Sequence, residues 1–137
     1  MSFMRIIGHG IDLTEVKRIA AMLDAHGQRF LERCFTADER AYAESSGRGR
    51  AERYAARFAG KEAVLKSLGT GLSGGARWTD VAIVHEDSGR PSVRLSGSCA
   101  DVAHALGVRS WHVSLSHSGG LAMASAIACG DPPGASR

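Results

Sequence analysis

The sequence predicts an α+β architecture, an antiparallel sheet with helices packed on one face, and three observations carry that expectation. Strand-like and helical periodicities are mixed along the 137 residues without the regular strand–helix–strand repeat of a parallel sheet. Two pairs of short runs are joined by turn-forming residues, as hairpins require: 81–85 and 92–95 around Asp87-Ser88-Gly89-Arg90-Pro91, and the alternating Trp111 to Ser116 followed, after Ser118-Gly119-Gly120, by an apolar run reaching Cys129. The longest helical pattern, Arg50 to Leu68, holds no proline and a single glycine, and Gly69 closes it.

Taken in order, Ile6, Ile7 and Ile11 around Gly8 and Gly10 read as a short strand that ends at Asp12, its glycines allowing another backbone to come close. Val16, Ile19, Ala20 and Leu23 then recur at helical spacing over about Thr14 to His26, with Asp12 and Glu15 as a capping box and Gly27 as the stop. Thr36 and Glu39 form a second capping box before a short helix that ends near the loop Ser45 to Gly49. In the long helix the apolar stripe is Ala51, Tyr54, Ala55, Phe58, Leu65 and Leu68. Cys99 to Leu106 is a further helix, stopped by Gly107.

A hydrophobic share of 44% with 23% charged residues describes one soluble domain, placed at 1–130, with 131–137 as a flexible tail. No window offers the roughly 18 consecutive apolar residues of a membrane span, and no export signal is readable near Met1, so the expected location is the cytoplasm. Cys34, Cys99 and Cys129 fit neither a disulfide framework nor a zinc ladder and read as reduced packing residues. The net charge of +3 suits an anionic partner, and it is unevenly spread. Between positions 48 and 66, Arg48, Arg50, Arg53, Arg57, Lys61 and Lys66 stand against only Glu52 and Glu62.

The chemistry-bearing anomaly lies inside the long helix. Four residues beyond Phe58 and three before Leu65, Glu62 puts a carboxylate at the centre of an apolar face, where it is partly buried and wants a cation or a strong donor. Either it forms a structural ion pair with Arg57, Lys61 or Lys66, or it serves a ligand. Lys66 follows at i+4, with Arg57 and Lys61 on flanking positions, an arrangement that suits a phosphate plus a divalent metal as well as a plain solvated basic face. Asp12 is either the helix cap or the second carboxylate of a magnesium site completed by substrate phosphate, since Mg²⁺ needs only one or two protein carboxylates. Gly69-Thr70-Gly71 with the following Gly-rich residues is either a helix stop or a backbone concavity for anionic oxygens. His117, at a strand end beside a glycine turn, is either an edge residue or a group facing a ligand.

Three motifs resemble those of the holo-acyl-carrier-protein synthases, the short bacterial type of 4′-phosphopantetheinyl transferase. They are Gly8-His9-Gly10-Ile11-Asp12-Leu13 with Arg18-Ile19; Arg57-Phe58-Ala59-Gly60-Lys61-Glu62-Ala63-Val64-Leu65-Lys66 leading to Gly69-Thr70-Gly71; and His112-Val113-Ser114-Leu115-Ser116-His117. With the segment 30–40 and the Gly89-Arg90-Pro91 turn, the likeness runs from about Ile6 to Ile127, and it departs from the family pattern at His9, usually aliphatic or small, and at Gly60, commonly Ala.

The resemblance implies the 4′-phosphopantetheinyl transferase-like fold and transfer of the phosphopantetheine arm of coenzyme A to a serine of apo acyl carrier protein, in support of fatty acid biosynthesis. Adenosine 3′,5′-bisphosphate would leave. It further implies Mg²⁺ held by Asp12 and Glu62, with Glu62 taking the serine proton either directly or through a metal-bound water, Lys66 on the leaving bisphosphate and His117 near the phosphates. Arg48, Arg50, Arg53 and Arg57, with Gly69, Thr70, Gly71, Arg90 and Pro91, become the coenzyme A contacts, and Arg18 with Met22 the docking site for the acidic carrier protein. A homotrimer with active sites between subunits is implied as well. Two rivals stand beside this reading: a nucleic-acid module, disfavoured because the only aromatics in the basic run, Tyr54 and Phe58, lie on its buried stripe, and a non-catalytic nucleotide-binding trimer.

Overall fold

The computed structural model describes residues 4–131 and 133–134. Its elements run β1 (Arg5–Glu15), α1 (Val16–Cys34), α2 (Ala37–Glu44), α3 (Arg50–Leu68), β2 (Val81–His85), β3 (Pro91–Leu95), α4 (Gly97–Leu106), β4 (Val108–Ser118) and β5 (Leu121–Gly130). The last strand is central in an antiparallel sheet ordered β1-β5-β4, while β2 and β3 form a separate hairpin. The α+β expectation and both hairpins hold. The tail prediction falls largely outside the described residues; Asp131, where the tail would begin, is tied back by its amide to the Gly107 carbonyl at 3.0 Å and by its carboxylate to Arg109 at 2.9 Å.

Small residues set the distance between sheet and helix. Ala122, Ala124, Ala126 and Ala128 alternate along β5 with their side chains fully buried toward α3. On β1 the approach is closer still: a methyl group at Gly8 would lie 1.9 Å from the Ser67 carbonyl oxygen, and one at Gly10 1.9 Å from that of Ala63. These two glycines let the strand backbone rest directly on α3, as the sequence suggested. Gly60 fills a similar role on another side of α3, where a methyl would meet the Ile83 side chain at 3.1 Å and Leu115 at 3.3 Å.

Helix α3 is thus wrapped on nearly every side, and the apolar stripe read from the sequence is only part of its buried surface. The same enclosure corrects two expectations. Lys61 is not on a basic surface beside Glu62. It is fully buried and pairs at 2.6 Å with an equally buried Glu39, and its ammonium also donates to the carbonyls of Trp78 and Val81. Glu39 is held in turn by the Thr36 amide at 2.8 Å, in the predicted capping box, and by the Ile83 amide at 2.8 Å. Arg57 is also buried, directed toward α2 and the hairpin, away from Glu62.

At the N-terminal end, β1 does not stop at Asp12 but continues to Glu15, because Asp12, Leu13 and Thr14 pair with Ala124, Met123 and Ala122 of β5. No Asp12–Glu15 capping box forms; the residue preceding α1 is Glu15, whose side chain makes no cap bond. Gly27 stops the first helical segment as expected, leaving helical geometry (φ 48°, ψ −124°), and a second segment, counted within α1, continues to Cys34 and puts Phe30, Leu31 and Cys34 in the core. Phe30 and Phe35 meet edge to face at 5.7 Å, and Phe35 tilts against Tyr54 at 4.8 Å.

The outer face of the sheet carries exposed apolar side chains on β1 and β5. Ile6, Ile11 and Leu13 on β1 are 68%, 54% and 61% exposed, and Leu13 lies opposite the exposed Met123 of β5.

Candidate active site

The glycine contacts between β1 and α3 bring Asp12 against the C-terminal half of α3. Side-chain alternation points Asp12 and Thr14 toward the helix while Ile11 and Leu13 face outward. The Asp12 carboxylate, 14% exposed, accepts from the Thr14 hydroxyl at 2.7 Å and from the Lys66 ammonium at 3.0 Å. Lys66 donates as well to the Ile11 carbonyl at 3.0 Å. Glu62, one helical turn before Lys66, is partly buried beside them. Burial, and next the nearby Asp12 carboxylate, push the Glu62 carboxyl above its ordinary value, against the opposite pull of Lys66 and Arg18.

A carboxylate whose ionisation is disfavoured by a second carboxylate beside it is a natural seat for a hard cation, and no third His, Cys, Asp or Glu joins Asp12 and Glu62 among the described residues. Asp12 and Glu62 therefore suit a metal that fills its remaining positions with water and ligand oxygens, as Mg²⁺ does. Gly69, three residues beyond Lys66, is in left-handed conformation (φ 79°) at the C-terminus of α3 and leads into Thr70 and Gly71, so all three lie at the Lys66 end of the helix. Arg18 extends along α1 over the Phe58 ring at 6.0 Å, and Met22 packs partly buried against the core.

A second group gathers around the start of α3. A cavity of about 480 Å³ is lined by Arg48, Glu52, Arg53, His117 and the Gly119-Gly120 turn. A neighbouring one of about 330 Å³ shares Arg53 and His117 and adds Tyr42, Arg57, His85 and Pro91. Arg57 and Arg53 stack on the Tyr42 ring, at 3.9 and 4.2 Å from its centroid. The Arg57 guanidinium reaches the His85 ring at 3.1 Å, and Arg53 donates to the Tyr42 carbonyl at 2.7 Å. Burial pulls the Arg57 guanidinium below its ordinary range; the His85 imidazole is lowered by burial and then by Arg57 and Arg53. A guanidinium pair held on an aromatic ring by these contacts is an anion site in its chemistry.

The predicted residues thus fall into two groups. Asp12, Glu62, Lys66 and Gly69 to Gly71 form one; Arg48, Arg53, Arg57, Pro91 and His117 form the other. Glu52 and Glu62 mark the two ends on α3, ten residues or about 15 Å apart along the helix axis. Two further residues stand apart: Arg50 pairs with Glu44 at 2.7 Å, and Arg90 occupies the β2–β3 turn, its amide donating to Ser88. Thr14, Tyr42 and His85 were not singled out in the sequence. Thr14 shares the face of Asp12 because β1 continues through it, where the sequence pattern suggested the start of a helix. Tyr42 and His85 meet Arg57 only through tertiary packing, which no local pattern reveals.

Comparison with known proteins agrees with this layout. Residues 8–126 match the model of the 4′-phosphopantetheinyl transferase superfamily. A holo-[acyl-carrier-protein] synthase of Koribacter versatilis is 46% identical over 122 residues, covering 89% of this chain and 97% of that protein. The crystal structure of the holo-[acyl-carrier-protein] synthase from Neisseria meningitidis superposes with a TM-score of 0.82 at 28% identity, covering 90% of this chain and 98% of the other. That of Helicobacter pylori, in complex with coenzyme A, gives 0.76 at 27% identity, covering 88% and 98%. The carboxylate pair on β1 and α3, the fold that holds it and the match across nearly the whole chain lead to one conclusion: the chain belongs to the holo-acyl-carrier-protein synthase family of 4′-phosphopantetheinyl transferases.

Proposed function

We propose that the protein transfers the 4′-phosphopantetheine arm of coenzyme A to a serine hydroxyl of an apo acyl carrier protein, releasing adenosine 3′,5′-bisphosphate and supplying fatty acid biosynthesis. The convergence of Asp12, Glu62 and Lys66 carries this reading. Asp12 and Glu62 are the residues that would hold Mg²⁺, which when bound supplies charge neutralisation at the diphosphate. Glu62 accepts the serine proton as the serine oxygen bonds to phosphorus and the phosphorus–oxygen bond to the bisphosphate breaks. Lys66 donates to the departing bisphosphate from its position beside Asp12. Arg48, Arg53, Arg57, Pro91 and His117 receive the nucleotide half, with its 3′-phosphate on the arginines; Arg50, Arg90, Gly69, Thr70 and Gly71 complete the proposed contacts.

In the same reading three copies assemble. The exposed Ile11 and Leu13, on the face of β1 opposite to Asp12, are the surface that another copy would cover. Light scattering is expected to give three times the chain mass of 14.4 kDa; a monomer at working concentration would remove the shared site. The cytoplasm is the proposed location, and no helix among the described residues is long and apolar enough to cross a membrane. Nucleic acid is not the proposed anionic partner, since Tyr54 and Phe58 are buried and offer no stacking platform.

Mass spectrometry of an apo carrier protein after incubation with enzyme, coenzyme A and Mg²⁺ tests the function. An added phosphopantetheine is expected, and an unchanged mass would favour nucleotide binding without transfer. Arg18, exposed on α1 near Glu62, and Met22 beside it are proposed to dock the acidic carrier protein. Arg18→Glu is expected to raise KM for carrier protein about tenfold, the size of losing one charge contact of about 1.4 kcal/mol, and to leave coenzyme A binding intact. Equal loss of both would remove the assignment.

A further inference from the structure

The basic cavity at the start of α3 contains one group of the wrong sign for a polyanion. Glu52 lines it together with Arg48, Arg53 and His117, yet its Oε2 atom is buried and accepts no hydrogen bond among the described residues. Neither arginine pairs with it: Arg53 directs its guanidinium to the Tyr42 carbonyl and the Ser45 hydroxyl, and the arginine ion pairs among the described residues are those of Arg50 and Arg109. An acceptor withdrawn from water and left without a donor is unfavourable, and native structures keep few of them.

This inference rests on the proposed function, which directs the nucleotide half of coenzyme A to this cavity. A phosphate cannot satisfy Glu52, because like charges at close range repel. What the nucleoside also carries is neutral hydrogen-bond donors, the adenine amino group and the ribose 2′ hydroxyl. We propose that Glu52 accepts a hydrogen bond from one of these donors and so sets which nucleotide the enzyme uses. The arginines take the phosphate charge, and Glu52 distinguishes a nucleoside end from any other polyanion. A site built to bond a donor strongly rejects an analogue without it, since the buried acceptor is then left unpaired.

Three nucleotides are compared in the wild-type protein and in Glu52→Gln and Glu52→Ala: coenzyme A, its 2′-deoxy analogue and its N6,N6-dimethyladenine analogue. The wild type is expected to lose at least about tenfold in kcat/KM on one analogue, mainly through KM, and that analogue identifies the donor. In Glu52→Ala the two rates are expected to converge within about twofold, as the coupling seen in a double-mutant cycle requires. Should Glu52→Ala not fold, the volume-conserving Glu52→Gln decides by the same comparison, with a ratio reduced from that of the wild type. Calorimetric Kd values for the three nucleotides read the same ratios without turnover, so a failure of phosphopantetheine transfer does not hide the answer. Wild-type protein indifferent to both analogues, or a ratio unchanged by substitution at Glu52, would overturn the inference while leaving transfer from coenzyme A itself untouched.

Discussion

Asp12→Ala is expected to lower kcat at least about 100-fold, the scale on which removal of one preorganised electrostatic group acts. Two effects coincide. One of the two hard oxygen ligands proposed for Mg²⁺ is lost, and the Lys66 ammonium loses its carboxylate partner at 3.0 Å. Stability should change little, because the Asp12 side chain contributes one hydroxyl bond from Thr14 and a half-exposed ion pair. Coenzyme A turnover measured on carrier protein, with thermal unfolding alongside, separates the two quantities. A variant that turns over at the parental rate would contradict the role of Asp12.

Lys61→Met is expected to do the reverse, costing about 3–5 kcal/mol of stability because the fully buried Glu39 carboxylate loses its cation. Burial lowers the Lys61 ammonium, and Glu39 opposes that shift, so the charged pair exists in the core only because its members face one another. The amides of Thr36 and Ile83 continue to bond Glu39 in the variant and do not supply a full charge. Denaturant titration reads the loss, and the folded fraction should retain its kcat, since Lys61 points away from Asp12 and Glu62. A loss below about 1 kcal/mol, the scale of an ordinary volume-conserving swap, would show that the ion pair does not hold α2 to α3.

Residues 57–66 show how far local pattern carries and where it ends. Helix α3 was legible to its last residue, because Gly69 adopts the left-handed conformation that closes it and no proline interrupts it. Glu62 was legible too, as a carboxylate at a helical-face position that packing makes partly buried. Its neighbour Lys61 was not. Charge alone suggested a surface, whereas the partner that buries it, Glu39, comes from a different helix. Similarly, Thr36 and Glu39 announced the start of α2 through a local box, and that box is present, but the second duty of Glu39 is tertiary.

The start of the chain makes the same point with a local signal that misled. Asp12 and Glu15 have capping-box spacing, yet ladder pairing with β5 through Glu15 keeps the segment extended and turns Asp12 into a mid-strand residue aimed at α3. Pairing along a whole strand outweighs one cap. The glycines before it were read for what they are, since Gly8 and Gly10 permit a backbone approach that any side chain would block. The cation cluster was legible as composition only. Which arginines face a cavity, and which, like Arg50, are bound to a neighbouring carboxylate, depends on contacts distant in sequence.

Asp12 and Glu62 are proposed to hold one divalent ion together with the diphosphate of coenzyme A. Crystals grown with coenzyme A and Mn²⁺, whose anomalous scattering locates the ion, test it most directly. A single anomalous peak is expected at the Asp12 and Glu62 carboxylates, beside the diphosphate and Lys66. Coenzyme A bound with no peak there, or a peak coordinated by other side chains, would contradict it.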